Sequence, residues 1–81
     1  MKRVKKKYEL AQGVTVDQQV RFGKPVIKGT RVPVEVILGK LAGGMLIEEV
    51  VTEYQVTKKD VLNAIKYATR LVEQEKVFVG I

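Results

Sequence analysis

From residue 47 onward the apolar positions fall into helical spacing. Ile47, Val50, Val51 and Tyr54 recur at i, i+3, i+4 and i+7, one face of a two-turn helix. Glu48 and Glu49 stand where a helix N-terminal dipole favours acid. After Gln55-Val56 a longer helix is predicted to open at Thr57-Lys58-Lys59-Asp60, with Thr57 capping a free backbone N–H and Asp60 reaching back three residues. Val61, Ile65, Ala68 and Val72 form its expected packing stripe, widened by Leu62 and Leu71. Lys59, Asn63, Lys66 and Arg70 repeat at i, i+4, i+7 and i+11 on the other side.

Upstream, Val34, Ile37, Leu38, Leu41 and Met45 predict another helix, begun at Pro33 and ended by Gly43-Gly44. All five read as core. Gly39 inside it costs about 1 kcal/mol relative to Ala, which points to close approach by another element. Residues 14–34 read as short extended pieces: Val14-Thr15-Val16, then Val20 and Phe22 in alternation, then Val26-Ile27 and Arg31-Val32. Gly23-Lys24-Pro25 forces a break, and Lys28-Gly29-Thr30 is expected as a tight turn between Ile27 and Val32. The resulting expectation is a mainly α, three-helix, helix-turn-helix domain over residues 14–75, preceded by short β-strands. Residues 1–13 are read as a basic N-terminal arm and 76–81 as an apolar C-terminal tail.

Composition narrows the chemistry. A chain of 81 residues makes one small domain, near the size where oligomerisation supplies extra stability, so a homodimer is expected. It contains no Cys and no His, which excludes disulfides, thiolate and imidazole chemistry and the common zinc sites. No apolar run approaches the length of a membrane span, and no hydrophobic region follows the charged N-terminus, so a cytoplasmic protein without a secretory signal is expected. The formal charge is +6, but residues 1–7 hold five of the 15 basic residues, leaving ten against nine acids, or +1. What remains is segregated. Arg21, Lys24, Lys28 and Arg31 cluster, Lys58, Lys59, Lys66 and Arg70 face only Asp60, and Glu35, Glu48, Glu49 and Glu53 gather between.

These clusters define the candidate sites. In a DNA reading, Thr57, Lys58 and Lys59 lie near the end of the second helix that enters a major groove, with Asn63 and Lys66 further along. Asn suits adenine, Lys suits guanine or phosphate, and Arg70 reaches the backbone. An ordinary solvated helix face is the alternative for the same residues. Lys24, Lys28 and Arg31 are candidate phosphate contacts or solubilising charges on a sheet edge. The lysine-rich arm is a phosphate-tracking segment or a solvated terminus. Val77, Phe78 and Val79 are a candidate partner-binding strand. Enzyme chemistry is not expected: no carboxylate pair has a pocket-forming context, and neither Gly23-Lys24-Pro25 nor Gly29-Thr30-Arg31 has P-loop spacing. Neither cofactor nor metal is called for.

The block Gly23-Lys24-Pro25-Val26-Ile27-Lys28-Gly29-Thr30-Arg31-Val32-Pro33-Val34 resembles the signature of the domain of unknown function 433 family. The likeness continues through Leu41-Ala42-Gly43-Gly44-Met45, Glu48-Glu49, Tyr54, Thr57 and Asp60 to Ala64 and Tyr67-Ala68. The chain departs at Leu46-Ile47, where members carry a small polar residue and then Pro, and at Gln55, where members often have Pro. The first departure leaves the middle helix without a Ser or Thr cap and exposes apolar surface near the turn. The resemblance implies a homeodomain-like or winged-helix-like protein of the VapB antitoxin type. It further implies operator DNA binding for autoregulation and neutralisation of a PIN-like nuclease toxin. The alternative is a protein-interaction module that inhibits a partner nuclease without sequence-specific DNA binding, using Glu48, Glu49, Glu53 and the apolar tail.

Overall fold

The computed structural model describes residues 7–75. Lys7–Ala11 (β1), Val14–Asp17 (β2) and Val26–Ile27 (β3) form an antiparallel sheet in the order β1-β2-β3. Val34–Ala42 (α1), Ile47–Tyr54 (α2) and Lys58–Gln74 (α3) follow. The architecture is α+β, which corrects the expectation of a mainly α, homeodomain-like or winged-helix-like domain. The sheet is no preamble to the helices: Val14, Val26 and Ile27 are almost wholly buried and form one wall of the core.

Lys7–Ala11, within the segment read as a basic arm, is the edge strand of that sheet, with Tyr8 opposite Val16 and Glu9 opposite Thr15. Residues 1–6 and the whole apolar tail, including Val77, Phe78 and Val79, lie outside the described residues. At the β1–β2 turn Gly13 has φ +77°, and a Cβ there would stand 2.5 Å from Asn63 Nδ2. Glycine is therefore needed both for its backbone angle and for the close approach of α3. The turn at Lys28-Gly29-Thr30 forms as expected. Ile27 N–H donates to the Val32 carbonyl at 2.9 Å, and Thr30 Oγ donates to the Ile27 carbonyl at 2.8 Å. Val20 and Phe22 do not alternate along a strand: Arg21–Gly23 is a 3-10 turn in which Arg21 and Phe22 both take positive φ.

The helix limits follow their punctuation. Pro33 immediately precedes α1, and Gly43-Gly44 ends it, with Gly44 at φ 101°. The reason expected for Gly39 is absent: among the described residues, a Cβ at Gly39 would meet nothing within 4 Å. At the start of α2, Glu49 Oε1 accepts from the Leu46 N–H at 2.8 Å, which supplies the carboxylate half of a cap without a hydroxyl half. Leu46 itself is exposed. Gln55, in the left-handed conformation, and buried Val56 turn the chain into α3. There the reciprocal cap is complete: Asp60 N–H donates to Thr57 Oγ at 3.0 Å, and Thr57 N–H donates to Asp60 Oδ2 at 2.9 Å.

One core holds these elements together: Val14, Ile27, Val34, Ile37, Val50, Val56, Val61 and Ala64, with Val32, Leu38, Leu41, Met45 and Tyr67 among the side chains against it. The packed face of α3 is rotated from the expected stripe. Val61 and Ala64 are fully buried and Asn63 is 9% exposed, whereas Leu62, Ile65, Leu71 and Val72 reach solvent. Among the described residues no helix is long and apolar enough to cross a membrane.

Two stability changes follow. Thr57→Ala removes the hydroxyl acceptor of the α3 cap and lowers unfolding free energy by about 1 kcal/mol, read as a lower urea midpoint with unchanged slope. Gly39→Ala adds a methyl in open space on a helix interior and raises unfolding free energy by about 0.5–1 kcal/mol in the same assay.

Candidate nucleic-acid interface

The outer side of α3 divides lengthwise into two stripes. Lys59, Lys66 and Arg70 are all exposed, and at 100° per residue they lie within roughly 40° of one another around the axis. Among the described residues none of the three makes an ion pair. Beside them run Leu62, Ile65 and Val72, 46%, 36% and 66% exposed, with Lys58 on the same margin. The opposite side of the helix is packed at Val61 and Ala64, whereas residues 69–74, which carry Arg70 and Val72, are exposed on every side.

The other candidates on α3 are placed differently. Thr57 spends its hydroxyl and its backbone N–H on the cap with Asp60, so its role is to start the helix. Asn63 does not share the exposed stripe with Lys59 and Lys66. It lies against the β1–β2 turn, lining a small crevice with Ala11, Gln12, Lys66, Tyr67 and Arg70. A base-reading contact from Asn63 is therefore not available on the open face, while Lys66 and Arg70 remain on the crevice rim.

The loop cations are drawn into local partnerships. Lys24 Nζ stands 2.7 Å from Glu35 Oε1, and Lys28 Nζ stands 3.6 Å from Glu9 Oε1; all four side chains are largely exposed. Exposed pairs of this kind contribute about 0–1 kcal/mol, so a phosphate can displace either carboxylate at little cost. Arg31 is exposed, and its carbonyl accepts from Arg21 Nε at 3.2 Å. Two residues missing from the sequence-based set, Arg21 and Phe22, belong to this loop. Arg21 carried a visible signal as part of the basic cluster, whereas nothing in the local pattern marks Phe22 for exposure.

The opposite charge sits elsewhere. Glu48, Glu49 and Glu53 line a shallow depression on the outer face of α2 with Met45 and Thr52. Val50, on the other side of the same helix, is in the core, so the acidic face points away from the packing partners of α2. The molecule is polarised, with an acidic α2 surface and a basic α3 stripe.

Comparison with known proteins agrees with this architecture. The crystal structure of Rv2018 from Mycobacterium tuberculosis is similar, with a TM-score of 0.60 and 33% sequence identity, over 64% of this chain and 24% of that one. The matched part of the chain thus spans only about a quarter of Rv2018. No curated protein matches it. The family model described as "Protein of unknown function (DUF433)" matches residues 14–68, from the start of β2 into the second half of α3. Because that match spans more than half of the 81 residues, the protein belongs to the DUF433 family.

Proposed function

We propose that this protein is a DNA-binding antitoxin: a cytoplasmic, non-catalytic homodimer that binds its operator for autoregulation and neutralises a PIN-like nuclease toxin. The toxin and the operator come from the resemblance to VapB-type antitoxins. The observation that carries the DNA half is the exposed stripe of Lys59, Lys66 and Arg70 on a rigidly capped helix. In this reading α3 enters a major groove, Lys59 and Lys66 meet base edges or phosphates, and Arg70 reaches the backbone. The loop cations Lys24, Lys28 and Arg31 add phosphate contacts. A twofold dimer then reads half-sites about 34 Å apart.

The acidic face of α2 and the exposed Leu62, Ile65 and Val72 stripe supply the surface proposed for the toxin. They also favour a second reading, a module that inhibits a partner nuclease without reading DNA. The two readings part at the basic stripe.

Charge reversal at Lys59, Lys66 and Arg70 together is expected to abolish preference for the chain's own upstream duplex over a scrambled one. It is also expected to reduce the slope of log affinity against log salt by about 2–3, since each phosphate contact contributes about 0.9. Titrations at two salt concentrations measure both. Unchanged DNA affinity together with weakened toxin binding overturns the DNA reading and leaves the interaction module.

A further inference from the structure

Phe22 is 99% exposed, far beyond any other large apolar side chain among the described residues. Its position is set by strain. Arg21 has φ 52° and Phe22 has φ 56° and ψ 35°, two successive left-handed residues that are not glycine. Such residues persist only where the surroundings over-determine them. Here they do. Val20 N–H donates to the Asp17 carbonyl at 2.8 Å, Gly23 N–H to Val20 at 3.1 Å and Lys24 N–H to Arg21 at 3.1 Å. Arg21 Nε adds its bond to the Arg31 carbonyl. These bonds fix the backbone of the loop and leave the Phe22 ring in water, where it contributes nothing to the core.

The surroundings of the ring indicate what it meets. Phe22 shares a shallow depression with Arg21, Lys24, Pro33, Glu35 and Val36, and the adjoining one adds Arg31. Arg21 and Lys24 thus line the same depression as the ring and Arg31 the neighbouring one, with Lys24 paired to the single acid there, Glu35. In the other direction Lys24 and Glu35 line a depression with Tyr67, and Tyr67 also lines the crevice bearing Lys66 and Arg70. Tyr67 therefore borders both the Lys24 depression, lined otherwise mainly by Pro25, Val34, Leu38 and Leu71, and the crevice that bears Lys66 and Arg70. An apolar ring with cations beside it matches nucleobases bordered by phosphates, and a Phe wedge entering a base step from the minor groove is a known way of kinking a duplex towards the major groove, the side assigned to α3.

We infer that Phe22 is a wedge that enters the base stack of the duplex bound by α3, with Arg21 and Arg31 on the flanking phosphates. The inference rests on the DNA reading above. Its test uses the full chain and its own upstream duplex carrying 2-aminopurine at successive positions. Wild type is expected to raise fluorescence at one base step per half-site by unstacking the probe. Phe22→Ala abolishes that rise and weakens duplex affinity about tenfold, with an unchanged unfolding midpoint. Phe22→Gly, which accepts left-handed angles freely, behaves alike. If the Lys59, Lys66 and Arg70 reversal abolishes binding while Phe22→Ala binds as tightly as wild type with the same fluorescence, the wedge is overturned and the DNA reading stands. If wild type shows no preference for its own duplex, both fall. A response confined to single-stranded probe, or a loss at Phe22→Ala only in toxin binding, also overturns the wedge.

Discussion

The burial of Val61 and Ala64 against Val14, Ile27, Ile37 and Val50 fixes the rotation of α3, and with it everything the helix presents to the outside. Ala64 is fully buried in the core that Val14 and Ile27 of the sheet share, and Gly13 lets the β1–β2 turn come close to Asn63. From that single seat Lys59, Lys66 and Arg70 face solvent, Asn63 turns to the hairpin, and Leu62, Ile65 and Val72 are left uncovered. The Thr57–Asp60 cap then determines where the helix begins.

Much of this was legible in the residues wherever a turn or cap has its own chemistry. Thr57 and Asp60 announced the start of α3, Gly43-Gly44 the end of α1, and Lys28-Gly29-Thr30 the turn beside β3. The packed face of α3 was not legible, because the helix carries more apolar positions than so small a core can cover. Periodicity weights Leu62, Ile65 and Val72 by hydrophobicity, whereas close packing favours the small Ala64. The edge strand was hidden for a different reason: its alternation of Tyr8 and Leu10 merges into the preceding lysine run. For the site, the basic stripe followed from spacing, while the burial of Asn63 and the exposure of Phe22 depend on tertiary contacts and on backbone angles that the local pattern does not encode.

The same geometry separates two surfaces of opposite character. The acidic outer face of α2 points away from the core, while the cations of α3 and of the Arg21–Arg31 loop lie on either side of a mainly apolar depression that reaches Tyr67. Separation matters more than net charge, since the chain beyond its first seven residues is nearly balanced. Among the described residues, the carboxylates on this side are Glu9 and Glu35, paired with the loop lysines, and Glu73, exposed on the same side of α3 as Lys66 and Arg70. The uncovered apolar stripe beside the basic one places the proposed protein contact and the proposed DNA contact on a single helix. Occupation of one can therefore bear directly on the other.

The most direct test of this account is residue-resolved mapping of the contact, by NMR titration of the isotope-labelled chain with its own upstream duplex. The account predicts that the largest backbone amide shifts occur around Lys59, Lys66 and Arg70 and in the loop from Arg21 to Arg31, with the amides of Glu48, Glu49 and Glu53 little changed. Shifts centred on the α2 acidic face, or an unperturbed α3 in the presence of saturating duplex, would contradict it.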